Sequence, residues 1–436
     1  MLKIAAISDL HLGAKWGTER EEDSFDQARE AFERAIQLGA QLILVPGDIF
    51  EFRIPRQEMW AKAMRILSLP LATDGGEVKL AGTIDKKPDD ISPLVFRGIP
   101  VIALHGNHER RSAGLVNPIQ ALESAGLLIH LHHNAVILET PIGRVAIHGM
   151  SNVPERYARD VLNTWNPKPV SDSINILMLH QSLGSYRFSE EERPTIDVAD
   201  LPPGFDLYVC GHMHYHAESS IHGRPLLFPG STIRTQLLPI ESKLAKGFYL
   251  IKMNGGVSYE FVELRSPRDF YYEEKSFNGV EIPEIYDWIR SRTRDLLKKP
   301  RRNPAKAPII RFRLRGTLAK RASRSELDTR MLEEEFQGKA ILSISKGELT
   351  SPGLEAKIKF LRDLRGQQMS LEDMAMELLD SNLAEIGYEQ LFDARAIYGL
   401  LTENKIDDAM SVVVEIVKKL SGYVPEGKEN DNSREA

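Results

Sequence analysis

Six short apolar runs, each stopped abruptly by a polar cluster, constrain this chain more than any other feature. "KIAAIS" gives way to "DLHLG", "QLILVP" to "GDIF", "VIALH" to "GNHE", "INILML" to "HQS", "DLYVC" to "GHMH", and "RPLLFP" to "GS". Such runs read as buried strands, and helical spacing between them, as over Phe25 to Leu38, predicts an α/β layered domain over residues 1–265. Because the polar clusters always follow the strands, one edge of the sheet system should carry the site.

The 436 residues suggest two or three domains. A net charge of −6 provides no global field for nucleic acid, so a polyanionic substrate needs a local basic patch or bound cations. Cys210 is the only cysteine, which excludes an internal disulfide or thiolate cluster and fits a reducing cytoplasm. The start has too short an apolar stretch for a signal peptide, and no run reaches the ~18 apolar residues of a membrane span. A soluble, cytoplasmic protein is expected.

Residues 72–92, rich in Gly, Asp and Lys, read as a surface insertion. Residues 266–350 alternate helical and strand patterns and read as a small α+β unit. From 351 to 436 the pattern is helical. Leu371, Met374, Ala375, Leu378 and Leu379 make one apolar stripe, Ile406, Met410, Val413, Val414, Val417 and Leu420 another, and a polar tail follows.

The strand ends gather Asp9, His11, Asp48, Asn107, His108, His180, His212 and His214. Carboxylate, carboxamide and imidazole suit a borderline divalent metal, Mn, Fe or Zn, better than Mg or Ca. Seven ligands exceed one tetrahedral ion but suit two ions sharing a bridge. Two divalent ions bring +4 and two carboxylates return −2, so about +2 remains to attract phosphate oxygens and to lower the pKa of a trapped water to roughly 7.

The ordered series D-x-H, G-D, G-N-H-E, H, G-H-x-H resembles that of the calcineurin-like metallophosphoesterases. "SDLHLG", "PGDIF", "HGNHE", "IHGM", "MLHQS", "GHMH" and "FPGSTIR" are similar to the SbcD/Mre-eleven type of DNA double-strand-break repair nuclease. The resemblance covers about residues 1–270, the next unit more loosely, and the C-terminal helices only in general character. It implies a β-sandwich flanked by helices, a DNA-contacting α+β cap over 266–350, and a linker with partner-binding helices after it. One ion would take Asp9, His11 and His214, the other Asn107, His180 and His212, with Asp48 bridging. His108 would face the scissile phosphate. Two Mn2+ ions, 3'-to-5' exonuclease action on duplexes, single-strand endonuclease action, a homodimer and a Rad-fifty/SbcC-type ATPase partner are implied by the same resemblance, as is a nucleoid-associated location. Two positions depart from the family. Glu51 stands where a second phosphate-side histidine is usual, and Glu109 where an aspartate is.

His105 and His148 lie within apolar runs and read as buried, His216 and His222 as loop or surface residues. His130, His132 and His133 fall in a connecting stretch and are not expected to be ligands. Cys210 reads as a small buried residue. Residues 298–315 hold eight Lys or Arg and no acid. Arg311, Arg313 and Arg315 alternate on one strand face and read as a rail for the phosphate backbone of DNA, against the plainer reading of a solvated sheet face. Two rival functions remain: another phosphoesterase acting on a nucleotide or phosphoprotein, and a non-catalytic scaffold.

Overall fold

The computed structural model describes residues 1–351 except 75, 76, 113, 188, 190, 320 and 321, and beyond them 373, 375–377, 379–380, 394–403 and 405–420. The first apolar stripe of the tail therefore lies mostly outside the described residues. Two compact units emerge. One comprises Met1–Glu274, Asp287–Arg313 and Thr329–Ser345, the other Lys275–Tyr286, Leu314–Asp328 and Lys346–Ala436.

All six apolar runs are strands. In the first unit a six-stranded sheet has the order β13 (Val257–Glu263), β12 (Gly247–Met253), β1 (Leu2–Ala6), β2 (Leu42–Val45), β4 (Val101–Ala103), β5 (Ile129–His130). A seven-stranded sheet has the order β10 (Ala217–Ile221), β11 (Arg224–Phe228), β9 (Leu207–Gly211), β8 (Ser173–His180), β7 (Gly143–Met150), β6 (Asn134–Thr140), β3 (Lys79–Ile84). The central strands β1, β2, β4 and β5 run parallel, as do β7, β8, β9 and β11.

Alternation along the strands explains why the runs are apolar throughout. Leu2, Ile4 and Ala6 of β1 join Leu42, Leu44, Ile147, Ile176 and Val209 in a core shared by the two sheets. Ala5, Ile43 and Val45 face the other way, against Phe25, Ala28 and Phe32 of the helix Asp23–Gln37 and Met59 and Ala63 of the helix Gln57–Leu67. On the outer face of the second sheet, Leu177, Leu179 and Tyr208 pack with Ala158 and Leu162 of the helix Glu155–Trp165. A strand covered on both sides has no polar face to show. The architecture is the expected α/β sandwich flanked by helices.

Residues 72–92 depart from the expected insertion. Lys79–Ile84 is the edge strand β3, antiparallel to β6, with its register broken between Leu80 and Gly82, and Val78 and Ile91 are buried beside it. An exposed edge strand shows little apolar alternation, so the sequence hid it.

A three-stranded sheet, β14 (Phe270–Val280), β15 (Ile309–Leu318) and β16 (Ile341–Thr350), contributes to both units, and the helix Ile282–Leu297 lies between β14 and β15 in the chain. Near the chain end are the helices Ala394–Thr402 and Ile406–Leu420. The second leaves Ile406, Met410 and Val414 exposed at four-residue intervals. No helix among the described residues is long and apolar enough to cross a membrane.

Candidate metal centre

Asp9 and His11 follow β1, Asp48 follows β2, Asn107 and His108 follow β4, His180 ends β8, and His212 and His214 follow β9. Parallel strands from both sheets thus deliver their carboxyl ends to one place. The loops are shaped for it: Asp9, His11, Asp48 and His212 all have left-handed backbones, with φ of 52°, 46°, 51° and 84°. Such conformations cost on the order of 1–3 kcal/mol each at non-glycine residues and gather where side chains must be aimed. Close approach also demands glycine. A Cβ on Gly106 would lie 1.9 Å from Asp48 Oδ1, and one on Gly47 would lie 2.1 Å from His180 Nδ1.

Two buried trios result, Asp9 with His11 and His214, and Asp48 with His180 and His212. His11 Nε2 lies 2.9 Å from His214 Nε2, and Asp48 Oδ2 lies 3.9 Å from His11 Nε2 and 3.4 Å from His180 Nε2. Asn107 Oδ1 joins the second trio, 3.0 Å from His212 Nδ1 and 3.3 Å from His180 Nε2.

The opposite ring nitrogens are engaged elsewhere. His11 Nδ1 meets the Glu51 carboxylate at 2.8 Å, His180 Nδ1 the Pro46 carbonyl at 2.6 Å, and His212 Nε2 the Glu192 carboxylate at 2.8 Å. Those partners only accept, so these nitrogens carry the protons. The remaining ring nitrogens are then lone pairs converging on carboxylate and amide oxygens. Acceptors facing acceptors at 3 Å call for cations between them, and this mixed nitrogen and oxygen set suits two borderline divalent ions. Burial alone would lower His180, but the charge and hydrogen bond of Asp48 reverse this and push it up to about 9.

Glu51 makes two contacts at the centre. Its carboxylate holds His11 Nδ1, while its backbone carbonyl accepts from His108 Nδ1 at 2.8 Å. One residue therefore orients both a candidate ligand and the candidate catalytic histidine. Glu51→Gln should weaken metal binding at the Asp9–His11–His214 trio by ~10–100-fold and leave the other trio unchanged. Calorimetric titration with Mn2+ checks it, and two unaltered sites would show that the carboxylate charge is immaterial.

Glu109 is buried and accepts from the amides of Phe50 (2.7 Å) and Gly106 (2.9 Å), pinning the loops after β2 and β4 together. Burial, helped by the Asp48 charge, pushes its carboxyl up to about 8. Thr235 and Glu192, not foreseen from sequence, also orient candidate ligands. Thr235 Oγ1 lies 2.6 Å from His214 Nδ1 and closely follows the "FPGSTIR" motif, whereas nothing in "SEEER" marks Glu192.

The histidines read as non-ligands lie closer to the strand ends than their stretch suggested. His130 ends β5, and its Nε2 lies 2.9 Å from Nδ1 of His105, two residues before Asn107. Burial, with neighbouring histidines adding to it, lowers His105 to about 2 and His130 to about 3. Folded pKa values below the unfolded ~6.5 mean stability is fully present above pH 6.5 and is lost as pH falls toward those values. The loss is about 1.4 kcal/mol per pH unit per group. Urea midpoints at pH 7.5 and 5.5 should fall accordingly, and His105→Gln should flatten the dependence by about one proton. An unchanged slope would show that His105 is not among the linked groups. Cys210 is buried as expected, its thiol pushed up to about 12 by burial.

Arg311, Arg313 and Arg315 share one strand face, opposite buried Ile310, Phe312 and Leu314. Each has a partner: Arg311 donates to Ser343 Oγ (2.7 Å), Arg313 lies 3.9 Å from Glu274, and Arg315 lies 2.6 Å from Glu348. The basic stretch before them is also engaged, Lys306 with Asp23 and Asp26, and Arg302 with Glu263.

Residues 2–216 match the calcineurin-like phosphoesterase family. The chain is 29% identical over 296 residues to the "DNA double-strand break repair protein Mre11" of Methanopyrus kandleri, covering 63% of this chain and 60% of the relative. It is 28% identical over 329 residues to the "Double-strand break repair protein MRE11" of Encephalitozoon cuniculi, covering 71% and 53%. To the "DNA double-strand break repair protein Mre11" of Sulfolobus acidocaldarius it is 24% identical over 328 residues, covering 73% and 76%. The chain thus spans less than two thirds of the first two relatives. With the motif order, the two-sheet fold and these relatives together, residues 2–216 carry a calcineurin-like phosphoesterase domain, and the chain is similar to the Mre11 double-strand-break repair proteins.

Proposed function

We propose that the chain is a dinuclear metal-dependent DNA nuclease that processes the ends of double-strand breaks. The observation that carries this is the convergence of imidazole lone pairs, two carboxylates and one carboxamide from both sheets, with His108 at its edge. Asp9, His11 and His214 would hold one ion, Asn107, His180 and His212 the other, and Asp48 would lie between them. Two Mn2+ ions held there would polarise a phosphodiester and activate water at neutral pH. His108 has its Nδ1 fixed by the Glu51 carbonyl, so its Nε2 is the atom left to meet a phosphoryl or leaving oxygen. Residues 266–350 act as the DNA-contacting cap, with Arg311, Arg313 and Arg315 exchanging their present partners for phosphates. Exonuclease action from 3' to 5' on duplexes, endonuclease action on single strands and homodimerisation complete the reading. The exposed face at Ile406, Met410 and Val414 supports helix-on-helix capture of a Rad-fifty/SbcC-type ATPase.

End-labelled duplex, single-stranded circles and bis(p-nitrophenyl) phosphate, each with Mn2+, test the substrate. Cleavage of DNA with little turnover of the small diester is expected, and the reverse would make the chain a small-molecule phosphoesterase. Truncation after Gly353 should preserve Mn2+-dependent cleavage while abolishing co-purification with the ATPase. Retained capture would move that interface out of the tail.

A further inference from the structure

The first unit buries a second concentration of charge. Arg20, Lys246 and Arg268 are buried beside the buried carboxylates of Asp23 and Glu241, and the exposed Glu19 carboxylate lies 4.0 Å from Arg268. Asp23 serves both arginines, 3.3 Å from Arg20 Nε and 2.9 Å from Arg268 Nε, and Glu241 lies 2.8 Å from Lys246. Arg234 is a fourth cation in this group. Its carbonyl accepts from Arg20 Nη2 at 2.6 Å, but its own Nε and Nη1 have neither solvent nor a hydrogen-bond partner. Only Nη2 reaches an acceptor, the Leu244 carbonyl, at 3.4 Å. Glu241 and Asp269 lie close enough to act on Arg234, but neither bonds its Nε or Nη1, and an arginine with two unbonded donors in such a place is costly unless an anion completes it.

Arg234 lines a cavity of about 290 Å³. Lys243 and Arg265 line it too, exposed, and neither has a carboxylate partner among the described residues. The Asp269 carboxylate in its wall is taken up by the amides of Arg302 and Asn303, at 3.0 and 3.1 Å. We propose that this cavity binds a phosphate group, with Arg234 as its buried cation and Lys243 and Arg265 at its exposed edge. Nε and Nη1 are sealed from solvent in the unliganded arrangement, so the guanidinium must turn for an anion to reach it, and it then offers two N–H donors to two phosphate oxygens. The site adjoins the metal centre through the chain. Thr235, next to Arg234, holds His214 Nδ1, and Lys246 donates to the His214 carbonyl at 2.7 Å. The phosphate is either part of a bound nucleic-acid backbone or a free phosphomonoester such as a released nucleotide. Recognition of the phosphate itself does not depend on the nuclease reading.

The full chain, treated with chelator to remove binding at metals, is titrated with inorganic phosphate, a deoxynucleoside monophosphate and a short single-stranded oligonucleotide. Calorimetry and thermal unfolding are followed in the unaltered protein and in Arg234→Met. The unaltered protein should bind at least one probe and melt at higher temperature with it. Arg234→Met should bind that probe at least ~10-fold more weakly, yet melt no lower in phosphate-free buffer because it removes a guanidinium with two buried, unbonded donors. Should Arg234→Met fail to fold, the exposed pair Lys243→Gln/Arg265→Gln should still weaken binding several-fold. Binding of phosphate and the monophosphate identifies a free phosphomonoester, and binding of the oligonucleotide alone identifies a backbone phosphate. No binding by the unaltered protein, or equal affinity in all variants, overturns the proposal.

Discussion

Asp48→Asn is expected to remove both ions together and to lower phosphodiester cleavage by ~10²–10⁴-fold, the equivalent of losing 3–5 kcal/mol from a buried charged site. The reason is position. Asp48 Oδ2 lies between the trios, 3.4 Å from His180 Nε2 and 3.9 Å from His11 Nε2, while Oδ1 accepts the backbone N–H of His108 at 3.1 Å. Asparagine can keep the last contact and part of the shape, but it supplies no charge to either cation. Loss of Asp9 or Asn107 should by contrast cost mainly one ion, since each belongs to one group. Mn2+ calorimetry separates the cases. One high-affinity site surviving in Asp48→Asn would place Asp48 in a single trio rather than between two.

Much of this arrangement was legible because strands buried on both faces leave continuous apolar runs, and ligands at their carboxyl ends interrupt those runs with His, Asp and Asn. What escaped the sequence was contact made through space without local pattern. Glu51 appeared only as a replacement beside the substrate, and its carboxylate contact with His11, 40 residues away in the chain, was not visible. Glu192 reaches His212 from an acidic loop whose charges look solvated, and Thr235 reaches His214 across 21 residues. The edge strand Lys79–Ile84 lacked alternation because only one of its neighbours is a strand. The alternation of Arg311, Arg313 and Arg315 was visible, but their partners Ser343, Glu274 and Glu348 lie on adjacent strands that a periodicity cannot reveal. Sequence order thus reports which residues share an edge or a face, and the fold decides what they meet there.

His108→Ala should leave both metal affinities near their original values and reduce cleavage by ~10²–10⁴-fold, the usual contribution of one positioned acid or charge-stabilising donor. The link from residue 108 to Asp48 uses its backbone N–H, which alanine retains, so Asp48 keeps that contact. What alanine removes is an imidazole packed edge-on against His11 at 4.8 Å between ring centroids and anchored through Nδ1 to the Glu51 carbonyl. That anchor assigns the proton on Nδ1, leaving Nε2 to accept when the ring is neutral and to donate when it is charged. A role in proton transfer therefore predicts more than a slower enzyme. One ionisation should disappear from the pH profile of kcat, and a substrate with a more acidic leaving alcohol should recover part of the lost rate. A role in holding the fold predicts neither, because it would lower metal affinity and unfolding temperature without changing the profile's shape. Cleavage near the original rate by a folded variant with both Mn2+ ions bound would place His108 outside the chemistry.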